Sequence, residues 1–350
     1  MTLHSPLRLR LDGEALVSNW KWLTSQSGGA ECGAAVKANG YGLGAREVVA
    51  RLAATGCKQF FVAHWGEAAA IADLVPPQQI AVLNGLDADD PSDVLRIGAV
   101  PVLNTPMQIA RWKAAGGGAC HVMLDSGINR LGIGVEQMNF GLFDGLDIDI
   151  LLSHLASADE DVPQNADQLA LFHQMAASVN AKRKSLANSA GIMLGTAFHF
   201  DLTRPGLALY GGIARPEMAG SIRPVVKPQA SVLQVRTLPA GSMVGYNATY
   251  ETTETTRVAT LAIGYADGYW RGFSGKGKVQ FQGNTLNVVG RISMDLITVD
   301  ATVCPALTEG DWVEVEYDIF GASVLTGLSQ YELLTGLAER AERIWSTTRS

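Results

Sequence analysis

Between about residues 31 and 206 the chain alternates short apolar runs with segments of helical period. The runs are "ECGAAVK", "QFFVAH", "QIAVLNG", "AVPVLN", "ACHVMLD", "DILLSHL", "KSLANS" and "FHFDLTRPG". Between them lie stretches such as "GAREVVARLAATG" and "NADQLALFHQMAASVN", where Leu169, Phe172, Met175 and Ala176 recur at helical spacing. This alternation predicts a parallel sheet with crossover helices, and eight units favour a closed (β/α)8 TIM-type barrel over an open sheet. After about residue 222 the pattern changes to "ASVLQVRTL", "RVATLAIGY", "KVQFQG", "TLNVVG", "LITVDA" and "DWVEVEY", short β-branched runs punctuated by Gly, Pro or Asn. The reading is a barrel over residues 9–222 and a C-terminal all-β domain over 223–350, closed by a helix-like tail, "SQYELLTGLAERAERIW". The alternating "LRLRL" at 7–11 fits a strand of either domain, and residues 1–8 are available as a further strand of the second.

The predicted strands end in polar residues: Lys37, His64, Asn84, Asn104, Asp125, His154, Asn188 with Ser189, and Arg204. Any one of these is most simply a polar turn. Eight together are what the active face of a barrel looks like.

Composition narrows the class. The chain has 350 residues, 47% hydrophobic and 17% charged, with a formal net charge of −7 and no basic run. That argues against nucleic acid or an anionic membrane surface as partner. The four cysteines are far apart with no Cys-x-x-Cys pair, so no metal site is expected and reduced thiols are the default. Arg8, Arg10 and Asp12 stand where a signal peptide would be apolar, and no uncharged run is long enough to span a bilayer. A cytoplasmic protein is expected.

Lys37 closes the apolar run of the first strand, where a cation is costly unless paired or neutralised. A cofactor aldehyde holding it as a Schiff base would remove the charge. Its surroundings, "AVKANGYGLG", are followed in order by "LDSGINRLG", "LSHLASADE", "LANSAG", "TRPGLALYGG", "VGYNATY", "GYADGY" and "GRISMD". Each string alone is weak. Together, over nearly the whole chain, they resemble the alanine racemase family.

The resemblance implies a pyridoxal 5′-phosphate (PLP) enzyme that interconverts L- and D-alanine, a step toward peptidoglycan precursors, with Lys37 bonded to the cofactor. It implies Tyr41, Ser189 and the backbone of Gly206 and Leu207 around the phosphate. Arg204 would face the ring nitrogen, where most PLP enzymes place a carboxylate. Two unit charges about 4 Å apart at an effective dielectric of about 20 repel by roughly 4 kcal/mol, about three pKa units, so the ring would stay unprotonated. Lys37 would be the base for the D-enantiomer and Tyr246 the base for the L-enantiomer. His154 would link that tyrosine to Arg204, and Arg130 would clamp the substrate carboxylate. Tyr246 and Met294 would reach the site of the other subunit in a homodimer with shared active sites. Asp159, Tyr265, Arg271 and Arg291 would line a narrow access corridor for a small amino-acid substrate.

Two positions depart from the family pattern. Met123 stands where a carbamylated lysine often supports the arginine, so an anion such as chloride, or Asp125, is expected beside Arg130. Glu339 stands where some members place a phosphate-contacting tyrosine. The competing readings are a PLP racemase of broader specificity, acting on small amino acids such as serine, a PLP barrel decarboxylase, and a non-catalytic PLP carrier. Arg204 argues against the decarboxylase, and a carrier needs neither Tyr246 nor a β-domain.

Overall fold

The computed structural model describes residues 5–346 apart from 87–90, 140 and 338. The chain divides into two compact units, residues 16–223 and residues 1–15 with 224–350.

In the first unit seven parallel strands follow one another in chain order: Ala34–Ala35, Phe60–Val62, Ile80–Val82, Val100–Leu103, Ala119–Met123, Asp147–Leu152 and Arg183–Ser185. Four of them, Ala34–Ala35, Phe60–Val62, Ile80–Val82 and Val100–Leu103, are buried at every position. A parallel strand covered on both faces reads as a continuous apolar run, which is why these segments stood out. Residues 201–205 join the two edges. Asp201 N donates to Lys184 O and Arg204 N to Ala187 O on one side. On the other, Pro205 O accepts from Ala35 N and Thr203 O from Gly33 N. The strand count of eight expected for the barrel is thereby reached.

The crossover helices bury the faces their periodicity marks. Val48, Val49 and Leu52 of Ala45–Thr55 are buried, and Gly56, at φ 113°, ends that helix. Phe172, Met175 and Ala176 are buried in Pro163–Ala176, which opens on a proline. Arg183 ties its own strand to Asp147–Leu152 and to the segments that lead into Ala34–Ala35 and Phe60–Val62. It donates to Glu31 at 2.8 Å, Asp149 at 2.6 Å and Gln59 at 3.1 Å.

The second unit is a closed antiparallel barrel. The strand Val226–Leu238 pairs with Thr256–Leu261 on one side and Trp312–Val315 on the other. The circuit continues from Thr256–Leu261 through Ile297–Asp300, Asn284–Val289 and Lys278–Phe281 back to Trp312–Val315. A register shift between Val232 and Gln234 bends the long strand so that it can serve both neighbours. Gln282 and Gly283, both at positive φ, turn the hairpin between Lys278–Phe281 and Asn284–Val289.

The strand Leu7–Leu11, left open between the domains by its pattern, pairs antiparallel with Val226–Leu238. Ala15 ends the N-terminal piece of this unit, where the sequence reading placed the change after residue 8. The helix-like tail is corrected. Among its described residues only Gln330–Thr335 is helical, while Glu342–Trp345 is a strand parallel to Leu7–Leu11. Ala338 lies outside the described residues. A free sheet edge took up a segment whose composition alone favours helix.

Candidate active site

The first strand ends in an unusual turn. Ala38, Asn39, Gly40 and Tyr41 all lie at φ between 52° and 62°, a left-handed stretch directly after Lys37. Such a conformation costs about 1–2 kcal/mol per non-glycine residue, less for Asn. It persists because its polar groups are held. Gly40 N donates to Val36 O at 2.9 Å, Gly42 N to Ala38 O at 2.8 Å, and Ala45 N to Asn39 Oδ1 at 3.0 Å. The Ala38 N–H donates to Glu67 Oε1 at 2.6 Å.

Around Lys37 the barrel gathers cations. Burial lowers the Lys37 pKa, Arg130 lowers it further, and Glu67 opposes them. His154 is pushed down to about 3, first by burial, then by Arg204, Arg130 and Lys37. Burial lowers Arg204 to about 10, so it stays charged at neutral pH. A lysine, two arginines and a neutral histidine thus share one electrostatic neighbourhood, a field that favours an anionic ligand.

Arg204 is fixed by Ser185 Oγ, to which it donates, and by Ser153 O at 2.6 Å. Ser189 Oγ accepts from Gly206 N at 2.9 Å and Ala208 N at 3.2 Å, and Leu207 between them is buried. Tyr41 stacks on Tyr210 with ring centroids 4.6 Å apart, and Tyr210 Oη donates to Ala35 O at 2.8 Å. A Cβ at residue 206 would overlap the Tyr41 hydroxyl, so glycine is what lets that hydroxyl lie against this backbone. Tyr41, Ser189, Gly206 and Leu207 therefore stand in the same unit as Lys37. The hydroxyls of Tyr41 and Ser189 and the backbone of Leu207, in the unit that holds a lysine of lowered pKa, fit a phosphate-bearing aldehyde.

Asp125 meets Arg130 through the backbone. Arg130 is exposed in the single chain. Asp125 spends its carboxylate on the backbone N–H groups of Gly127, Ile128, Asn129 and Arg130, and Met123 is buried. Asp159 is exposed in the loop after Asp147–Leu152.

Tyr246, Tyr265, Arg271, Arg291 and Met294 belong to the second unit. Tyr246 is 64% exposed and Met294 54%. Arg271 lies over the Tyr265 ring at 5.0 Å. The segments 264–269 and 290–295 are joined through Tyr265 N to Ser293 O at 3.0 Å and Ala266 N to Met294 O at 2.9 Å. Arg340 clamps both. It donates to Asp267 at 2.6 and 2.9 Å and to Asp295 at 2.6 Å.

Glu67, Ser185 and Arg340 escaped the sequence reading. Glu67, three residues after His64 at a helix start, carried a capping signal that was available. Ser185 and Arg340 carried none, since their partners are distant in sequence.

Fold and site together define a two-domain class of enzyme, a parallel barrel joined to an antiparallel one. The alanine racemase N-terminal domain family matches residues 11–214 and the alanine racemase C-terminal domain family residues 225–345. An alanine racemase of Acidiphilium cryptum is 38% identical, over 96% of this chain and 98% of its own. A catabolic alanine racemase of Rhizobium johnstonii is 41% identical, over 96% and 93%. The crystal structure of alanine racemase from Bartonella henselae with covalently bound pyridoxal phosphate superposes with a TM-score of 0.89. It is 36% identical and covers 97% of this chain and 99% of its own. The chain belongs to the alanine racemase family.

Proposed function

We propose that this chain interconverts L- and D-alanine with PLP as cofactor, in a homodimer whose subunits complete each other's sites. The observation that carries the reading is the lysine of lowered pKa among Arg130, His154 and Arg204, in a chain that matches the family over both domains. The covalently bound PLP of the Bartonella henselae relative supports the cofactor. Lys37 would hold its aldehyde carbon, Tyr41, Ser189, Gly206 and Leu207 its phosphate, and Arg204 would face its ring nitrogen. When bound, the cofactor supplies an electron sink that acidifies the α-hydrogen of an attached amino acid.

The chain's own groups then have separate tasks. Burial and Arg130 lower the Lys37 pKa, which favours its amine as the group that takes or returns the proton on the D-face. Tyr246, given by the partner subunit, acts on the opposite face, and its exposure suits a group presented to another chain. His154 is uncharged at neutral pH and so meets a phenol as a hydrogen-bonding ring rather than a further cation. Arg204 keeps its proton and gives none to the ring nitrogen, which disfavours decarboxylation. Arg130 takes the substrate carboxylate, Met294 packs beside the substrate, and Asp159, Tyr265, Arg271 and Arg291 limit its size. The cysteines are free thiols, which suits the cytoplasm.

The purified protein should be yellow, and borohydride should fix the cofactor to a peptide containing Lys37. A panel of L-amino acids assayed for their D-forms should single out alanine. A colourless protein that added PLP does not colour would overturn the reading.

A further inference from the structure

We propose that Glu67 is a positioning residue for Lys37: its carboxylate pins the left-handed turn that follows the lysine and balances the lysine's cationic neighbours. This rests on reading Lys37 as the cofactor-binding lysine.

The geometry goes beyond helix capping. His64 caps the helix Trp65–Ala69, its Nδ1 accepting from Glu67 N at 3.4 Å. An acidic residue at this third helical position commonly reaches back to the backbone at the cap. Glu67 Oε2 does nearly that, accepting from Ala63 N at 2.7 Å. Capping gives no reason for the other oxygen, which crosses to the end of the neighbouring strand and accepts from Ala38 N at 2.6 Å. One carboxylate, only 17% exposed, therefore ties the residue after Lys37 to the end of Phe60–Val62. Hydrogen bonds to an ionised acceptor are about twice as strong as neutral ones, and this one holds a residue whose backbone is strained.

The same carboxylate raises the Lys37 pKa against the burial and the Arg130 charge that lower it. Arg130 opposes it, His154 lies in the same field, and His64 Nε2 stands 3.9 Å from Glu67 Oε1. Removing the charge should make the amine still harder to protonate and release the turn that aims it.

The test uses the full-length chain freed of cofactor. Its lysines are labelled by reductive methylation with 13C, and the Lys37 signal is assigned by its loss in Lys37→Ala. In Glu67→Gln the Lys37 titration should move down by about one pH unit. The Ala38 amide should exchange with solvent about tenfold faster or more. Glu67→Asp keeps the charge and loses reach, so the titration should stay near wild type while Ala38 exchange still rises. A purely structural glutamate would leave the Lys37 titration in place, and that result overturns the proposal. If neither variant folds, the wild-type chain decides: the Ala38 amide should be protected from solvent exchange, and an Ala38 amide exchanging as fast as an unbonded one overturns it. None of these signals needs bound PLP, so failure of the cofactor reading, seen by borohydride trapping, is distinguishable from failure of this one.

Discussion

His121 shows how one buried side chain ties stability to pH. It is fully buried in Ala119–Met123, at the point where the register with Asp147–Leu152 shifts. Its Nδ1 accepts the Ile150 N–H at 3.2 Å, filling in for an irregular ladder. Burial pushes its pKa down to about 3, with Asp149 opposing and Arg183 adding to the shift. The unfolded chain takes up this proton near pH 6.5, whereas the folded chain resists until about 3, so stability falls as pH drops through that window. By pH 5 the loss from this group should be roughly 2 kcal/mol. Urea midpoints measured from pH 7 to 5 should fall, and His121→Asn, which keeps an acceptor and cannot be protonated, should flatten the slope. A slope unchanged in the variant would place the acid sensitivity elsewhere. Single residues were also where the sequence was least decisive. Of the polar strand ends, His64, Asp125 and Asn188 serve backbone N–H groups, and Asn104 donates to Leu83 O and Val102 O. Lys37, His154 and Arg204 share the cationic neighbourhood instead. Pattern cannot separate these roles, because they depend on which backbone groups each side chain meets after folding.

Among elements, the Arg340 clamp makes the clearest claim. Asp267 is only 3% exposed, and its carboxylate is shared between Arg340 and Gly264 N. Arg340→Ala leaves that buried charge short of its cation, at a cost on the order of 2–3 kcal/mol. Thermal unfolding should show the loss, and Asp267→Asn combined with Arg340→Ala should recover part of it. If the double variant is as unstable as the sum of the singles, the two residues are not coupled. Here lies the division between legible and illegible elements. Buried parallel strands such as Phe60–Val62 announce themselves as apolar runs. The turn at 38–41 does not, because Ala38 and Tyr41 adopt a conformation their own propensities disfavour and distant Glu67 helps to sustain. Glu342–Trp345 was read as helix because its pairing partner, Leu7–Leu11, lies at the far end of the sequence.

At the scale of the whole molecule, Lys37 and Tyr246 belong to different units, and the proposed shared site makes a direct forecast. Lys37→Ala chains mixed with Tyr246→Phe chains should regain activity once subunits exchange, to about a quarter of wild type, since half the dimers carry one intact site of two. Heterodimers confirmed by mass yet inactive would mean that Tyr246 serves its own chain. The pairing of Leu7–Leu11 has a different consequence, for how the chain is made. That strand is made before residues 16–223, yet its partners, Val226–Leu238 and Glu342–Trp345, leave the ribosome only after those residues have emerged. A strand made ahead of the parallel barrel is therefore paired only after that barrel's residues are complete. Through most of translation "LRLRL" waits as an unmatched edge, and its alternating arginines, charged on every second position, keep such an edge from joining another nascent chain.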